Sequence, residues 1–377
     1  MNTKKHKIFY WSPSLVDIAT NRSVINSAYS LNKYSKKYCC SIINFFGEFN
    51  RFNKDIEKKK LKLLNYYNEY IYTILPRHGK VKSRFSFLII FLMAFFPLKR
   101  LLKKETPDYF IIHLITSLPL ILLILFKFET KFILRISGFP RMNFFRKLLW
   151  KFALKKIYLI TCPTINTYNY IKSLNIIDDS KIKILYDPVL NVKEINKKKN
   201  ENIKFKNYFL SVGRLTKQKN FIFLCKAFKK IIKEHSEVKL LIAGEGEQKT
   251  ELSNFIKENN LSKNIILLGF IENIFPYFKN SNGFILTSLW EDPGFVLVEA
   301  AFCRAPILSS NSWPGPIELI KKDFNGLLFN NNDMQSFLSE FKKFNIYKDK
   351  NYLKLNSLKI CKKFSLFNHY NNLISLI

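Results

Sequence analysis

The sequence predicts an α/β protein built from two doubly wound parallel sheets, and three observations predict it. At 377 residues the chain exceeds what one ordinary core organises. Each half alternates short apolar runs of strand length with longer segments of helical apolar spacing. In the second half, several of those runs lead straight into glycine or serine, as parallel strands do where a loop leaves their carboxyl ends.

In chain order, the first half offers strands over 8–11, 40–46, 70–75, 109–113, 132–136, 159–162 and 182–185, with helices between. The segment 191–206 is polar and lysine-rich and predicts a linker. The second half offers strands over 208–212, 238–243, 265–268, 284–287 and 306–309, and helices over 219–235, 247–260 and 295–302. The tail, 364–377, has amphipathic spacing and predicts a helix returning to the first domain. The expected division is therefore an N-terminal domain over 1–190, a C-terminal domain over 207–363, and that returning helix.

Two apolar runs, 85–97 and 118–126, fall short of the roughly 20 residues that span a bilayer. They read as buried helices of the first domain. The cations around the first run, among them Arg84, Lys99, Arg100, Lys103 and Lys104, also suit a surface resting on a membrane without crossing it.

The formal charge of +34 comes from 52 Lys and 10 Arg against 28 carboxylates. Lysine is spread over both halves and accompanies abundant Asn, Ile, Phe and Tyr, all with A/T-rich codons. A solvated basic surface accounts for it better than a nucleic-acid groove, of which no module is visible. Six cysteines without paired ligand spacing read as reduced thiols of a cytoplasmic protein, and Met1–Lys7 leads into a strand without an apolar signal segment.

Glycine is scarce, and eight of the 11 glycines lie between Gly213 and Gly326. There the backbone has to turn sharply or approach a ligand. Ser211-Val-Gly-Arg-Leu-Thr-Lys-Gln-Lys219 ends a strand at Gly213 and adds Arg214 and Lys219, a receptor suited to a diphosphate. Arg214 is one of two arginines in the second half, so it stands out where lysine does not. Farther on, Glu291-Asp-Pro-Gly-Phe-Val-Leu-Val-Glu299 sets two carboxylates around a predicted helix N-terminus. Carboxylates repel phosphate, so their partners are hydroxyls, each pairing with a vicinal diol of a ribose or a pyranose. Cations, a helix N-terminus and two diol-binding carboxylates describe a nucleotide-sugar site.

In those residues the chain resembles the retaining glycosyltransferases of the GT-B fold, group 1 or family 4 type, in their bacterial surface-polysaccharide branch. The matching pieces in family order are Ser211–Arg214 with Lys219, Ala243-Gly-Glu-Gly246, Leu268-Gly-Phe270, Glu291–Glu299, and Ser310-Asn-Ser-Trp-Pro-Gly-Pro-Ile-Glu318 followed by Asn325-Gly-Leu. The resemblance implies two Rossmann-like domains facing across a cleft and transfer from a nucleoside-diphosphate sugar, UDP-linked by family habit, with retained anomeric configuration. It implies that Arg214, Lys219 and Glu291 carry the catalysis. Gly213, Gly244, Gly246, Gly294, Phe295, Val296 and Glu299 would bind the donor, with Phe270 and Ile271 bordering the base. No Asp-x-Asp occurs, so neither metal nor separate cofactor is expected.

The first domain departs from the pattern. Its first loop, 11–22, has no glycine, leaving Asn21 or Arg22 to compensate, and Ser137 stands where many members carry a histidine. Tyr186-Asp187-Pro188 replaces a more usual Asn-Gly pair. His113, at a strand end, reads as a satisfied residue. The expected acceptor is a lipid-linked saccharide at the inner face of the plasma membrane, in lipopolysaccharide, capsule or related assembly. A soluble acceptor, as for sucrose or glycan synthases, is the alternative. A non-catalytic polyanion-binding protein on the same scaffold is a distant third, and it leaves the two glutamates without a purpose.

Overall fold

The computed structural model describes residues 5–14, 19–67, 75, 80–140 and 142–377, without the side chains of 80–84. The predicted strand over 70–75 lies outside them but for Leu75, as does part of the glycine-free first loop, 15–18. The chain forms two compact units, Met1–Pro188 with Leu366–Ile377, and Val189–Ser365.

In the first unit, β1 (His6–Trp11), β2 (Tyr38–Asn44), β3 (Lys62–Asn65), β4 (Tyr109–Ile112), β5 (Lys131–Arg135), β6 (Leu159–Cys162) and β7 (Ile182–Ile184) form one parallel sheet. Their order is β3-β2-β1-β4-β5-β6-β7. A parallel sheet is covered on both faces, so its strands are apolar throughout; all four residues of β4, Tyr-Phe-Ile-Ile, are buried. Phe110 and Ile112 pack on one face with the helices Lys80–Glu105, Ser117–Leu125 and Phe144–Ala153. Tyr109 and Ile111 pack on the other, with Ala19–Tyr34 and the C-terminal helix Leu366–Ile374.

That last helix is held by a buried polar network. His369 meets Ser27 Oγ at 2.8 Å and the Tyr186 carbonyl at 2.7 Å. Close by, Asp187 pairs with Arg135 at 2.8 Å and accepts from Ser23 Oγ at 2.7 Å. Asp187, within the segment that replaces the usual Asn-Gly pair, thus neutralises Arg135 at the buried end of β5. The two apolar runs separate here: Ser117–Leu125 is mostly buried, whereas the first run, expected to fall short of a span, continues as an apolar helix over Phe85–Glu105 whose 21 residues are enough by length and composition to cross a membrane and of which about one third is buried.

In the second unit, β8 (Tyr208–Val212), β9 (Lys239–Ala243), β10 (Ile265–Gly269), β11 (Gly283–Leu286), β12 (Ile307–Ser310) and β13 (Leu327–Phe329) run parallel in the order β10-β9-β8-β11-β12-β13. The helices Phe221–Glu234, Lys249–Glu258 and Met334–Asn345 cover one face through Phe228, Leu252 and Phe341. Strand order reverses between β8 and β11. The chain leaves β8 toward one side and β11 toward the other, so the loops at their carboxyl ends diverge and open a crevice. The segment expected as a linker opens with the helix Val192–Lys198, which buries Ile195.

Candidate active site

The crevice between β8 and β11 is where the predicted residues gather. The loop after β8 is stitched to its neighbours through the backbone. Gly213 N–H donates to the Ala243 carbonyl at 3.0 Å, Gly244 N–H to Gly269 at 2.7 Å, and Leu215 N–H to Glu245 at 2.9 Å. Here glycine is a steric requirement, since a Cβ on Gly244 would lie 1.9 Å from the Gly213 carbonyl oxygen. A Cβ on Gly246 would lie 2.4 Å from the Leu215 carbonyl oxygen. Gly213, Gly244 and Gly246 therefore shape the floor of the site.

A second set of bonds joins the loops after β8 and β11. Leu289 N–H donates to the Gln218 carbonyl at 2.8 Å, Gln218 Nε2 to the Trp290 carbonyl at 2.9 Å, and Thr287 Oγ1 to the Lys219 carbonyl at 2.9 Å. This places Lys219 against Glu291, and the two form an ion pair with side chains 13% and 9% exposed. Ser288 Oγ donates to the same oxygen, Glu291 Oε1, at 2.7 Å. Residues 288 and 291 are held from behind, because Ser310 Oγ donates to the Ser288 carbonyl at 2.7 Å and Gly315 N–H to the Glu291 carbonyl at 2.9 Å. The sequence reading gave Lys219 and Glu291 separate partners; the structure pairs them. Ser288, Gln218 and Ser310 escaped that reading, because only closure of the loops makes them neighbours of the charges.

Gly294 follows with φ +94°, a conformation glycine adopts without strain, and caps the helix Phe295–Phe302. Gly294, Phe295 and Val296 thus supply the helix's first N–H groups, which have no intrahelical partner. Glu299 lies in the second turn, half-buried. Arg214 is exposed on the loop after β8, without an ion-pair partner among the described residues. Phe270 stands 69% exposed directly after β10, with Ile271 half-buried beside it.

In the first unit, His113 directly follows β4 and is buried, 3.2 Å from Ser137 Oγ. Burial and the Arg135 guanidinium hold its imidazole well below the usual range, so it is neutral. It borders a cavity of about 10 Å³ shared with Arg135, Asp187 and His369, room for about one water molecule and no sugar. Asn21 is also buried, its Nδ2 bonded to Ser14 Oγ at 3.0 Å. Of the six cysteines, five are buried and none is bridged.

Residues 192–354 match the family described as glycosyl transferases group 1. The match covers less than half of the chain and lies within the second unit, which is thereby a glycosyltransferase domain. Its relatives include an uncharacterised glycosyltransferase of Methanocaldococcus jannaschii, 29% identical over 78% of this chain and 74% of that one. A second is the N-acetylgalactosamine-N,N'-diacetylbacillosaminyl-diphospho-undecaprenol 4-alpha-N-acetylgalactosaminyltransferase of Campylobacter jejuni, 33% identical over 49% of this chain and 51% of that enzyme. This transferase thus spans about half the length of the latter. In fold it is similar to Anabaena HepE, solved with UDP and glucose, at a TM-score of 0.70 and 15% identity over 98% of both chains. The transferase accordingly has the GT-B fold, and its matched family segment contains all twelve predicted site residues.

Proposed function

We propose that this transferase moves a sugar from a UDP-sugar to a lipid-linked saccharide, with retained anomeric configuration and without a metal. The work would belong to surface-polysaccharide assembly, lipopolysaccharide and capsule included, at the cytoplasmic face of the membrane. The carrying observation is the crevice at the β8/β11 reversal, which gathers Arg214, the Lys219–Glu291 pair and the N-terminus of the helix Phe295–Phe302. The lipid-linked acceptor and UDP are supported by the diphospho-undecaprenol acceptor of the Campylobacter relative and the UDP bound to the Anabaena neighbour.

In this reading the donor diphosphate lies on the amides of Gly294, Phe295 and Val296 and meets Arg214 and Lys219. Glu299 takes the ribose hydroxyls, Phe270 and Ile271 border the base, and Glu291 accepts from hydroxyls of the transferred sugar. The anomeric C–O bond to phosphate breaks with its electron pair going to the diphosphate, where the two cations offset the growing charge. The acceptor oxygen bonds to the anomeric carbon, and its proton passes to the departing phosphate.

The test is transfer from radiolabelled UDP-sugars to an undecaprenyl-diphosphate-linked saccharide with EDTA present. Arg214 would meet the charge of the departed UDP more than that of the intact donor ester, so Arg214→Ala is expected to lower kcat chiefly and to weaken free UDP, and Glu299→Ala to raise the donor KM chiefly. Near-wild-type kinetics for both variants would contradict the roles.

A further inference from the structure

On the helix Lys80–Glu105, the outward stripe has the polarity of an interior. Ser86, Ile90, Ala94 and Leu98 are buried against the sheet at helical spacing. The opposite stripe, Phe85, Leu88, Leu92 and Phe96, is exposed at 60%, 53%, 63% and 62%. Three turns of apolar side chains therefore face outward, and the stripe continues one turn on as Arg100, Lys103 and Lys104.

The helix Phe144–Ala153 repeats the pattern. Its Phe144 and Phe145 are 74% and 79% exposed, and Leu148 and Phe152 extend the stripe. Arg146, Lys147 and Lys151 stand between these residues. Ser117–Leu125 joins the two helices, for Lys99 Nζ sits 3.8 Å from the Phe126 ring centre and Lys156 Nζ bonds the Ile124 carbonyl at 2.8 Å. The two stripes therefore belong to one side of the first unit. Soluble proteins seldom expose so many large apolar side chains together without a partner.

Charge decides which partner fits. Apart from Arg135, buried against Asp187, residues 80–157 hold fifteen Lys and Arg against three carboxylates, Glu105, Asp108 and Glu129. A second copy meeting this face with its own equivalent face would set like charges against like. An anionic bilayer takes the rings into its acyl boundary and the cations onto its headgroups.

We propose that this side of the first unit docks the enzyme on an anionic lipid surface, with Phe85–Phe96 and Phe144–Phe152 seated at the headgroup boundary. The inference rests on the reading of a lipid-linked acceptor and identifies the surface that brings the enzyme to it.

The test is co-sedimentation of the full chain with phosphatidylcholine vesicles, with and without phosphatidylglycerol. The wild type is expected to pellet with the anionic vesicles and to remain in the supernatant with the neutral ones. Phe144→Ser/Phe145→Ser and Leu92→Ser/Phe96→Ser, both on exposed positions, are each expected to weaken partitioning at least about tenfold. Their thermal response to UDP should be unchanged, so loss of docking is distinguishable from loss of the donor site. Wild type that pellets with neither vesicle, or variants that pellet as well as wild type, would overturn the proposal. So would a lipid-free dimer that the same substitutions dissociate, which would assign the face to a second copy.

Discussion

Replacing Lys219 by Met tests how tightly the central ion pair is built into the site. The side chains of Lys219 and Glu291 are 13% and 9% exposed, and Glu291 Oε1 also takes the Ser288 hydroxyl. Removing the ammonium leaves a nearly buried carboxylate with one neutral donor. Truncating one partner of a buried pair costs about 3–5 kcal/mol, and the residual exposure sets the expectation at about 3 kcal/mol. Glu291→Gln keeps both hydrogen-bond donors supplied but strands the lysine charge, for an expected loss of about 2 kcal/mol. With both substitutions no unpaired charge remains. The double variant is then less destabilised than the sum of the singles by at least about 1.5 kcal/mol. Urea unfolding at neutral pH, followed on all four proteins, reads this coupling from the midpoints at constant m. Single effects that add to within about 0.5 kcal/mol would refute the claim that the pair acts as a unit.

Other expectations follow from particular contacts. Gly244→Ala brings a methyl group 1.9 Å from the Gly213 carbonyl oxygen, so the loops after β8 and β9 have to separate. It should lower the melting temperature and weaken UDP binding together, and an unchanged melting curve would contradict the close crossing. Phe270→Ala, at a 69% exposed position, is expected to leave stability within about 0.5 kcal/mol while raising the donor KM and sparing kcat; unchanged KM would remove it from the base contact. Burial pushes the His369 imidazole down to about 4, with the Tyr186 carbonyl opposing that shift and Arg135 reinforcing it. The folded state therefore binds this proton less readily than the unfolded chain. The contribution of neutral His369 is complete above pH ~6.5 and is lost as pH falls toward the folded value, on the order of 3 kcal/mol in all. His369→Gln should flatten stability between those limits, and an equally steep acid loss in that variant would assign the dependence elsewhere.

Much of this architecture was legible because parallel strands declare themselves by continuous burial. The limits of β6, β8 and the helix Phe295–Phe302 coincide with the apolar runs read from the sequence. Shorter or half-exposed elements carried no such signal. The three residues of β13 are too few to show a pattern, and β3, Lys-Leu-Leu-Asn, is an edge strand without a fully buried residue. The helix Val192–Lys198 hides in a lysine-rich stretch because only Ile195 has to be buried. In the site, the scarce glycines and Arg214 were conspicuous by composition. The union of Lys219 with Glu291 was not, since 72 residues separate them and only the β8/β11 reversal brings their loops together. The run 85–97 illustrates the opposite limit: hydropathy alone does not say that one stripe is buried and the other bare.

The most direct test of the central claim is thermal unfolding of wild type and Arg214→Ala with UDP, GDP, ADP or CMP, in EDTA. UDP is expected to stabilise the wild type by about 2.7 kcal/mol at a hundredfold excess over Kd, and Arg214→Ala to lose that stabilisation. No shift with any nucleotide at millimolar concentration, or an undiminished shift in the variant, would contradict a metal-free donor site at the β8/β11 crevice.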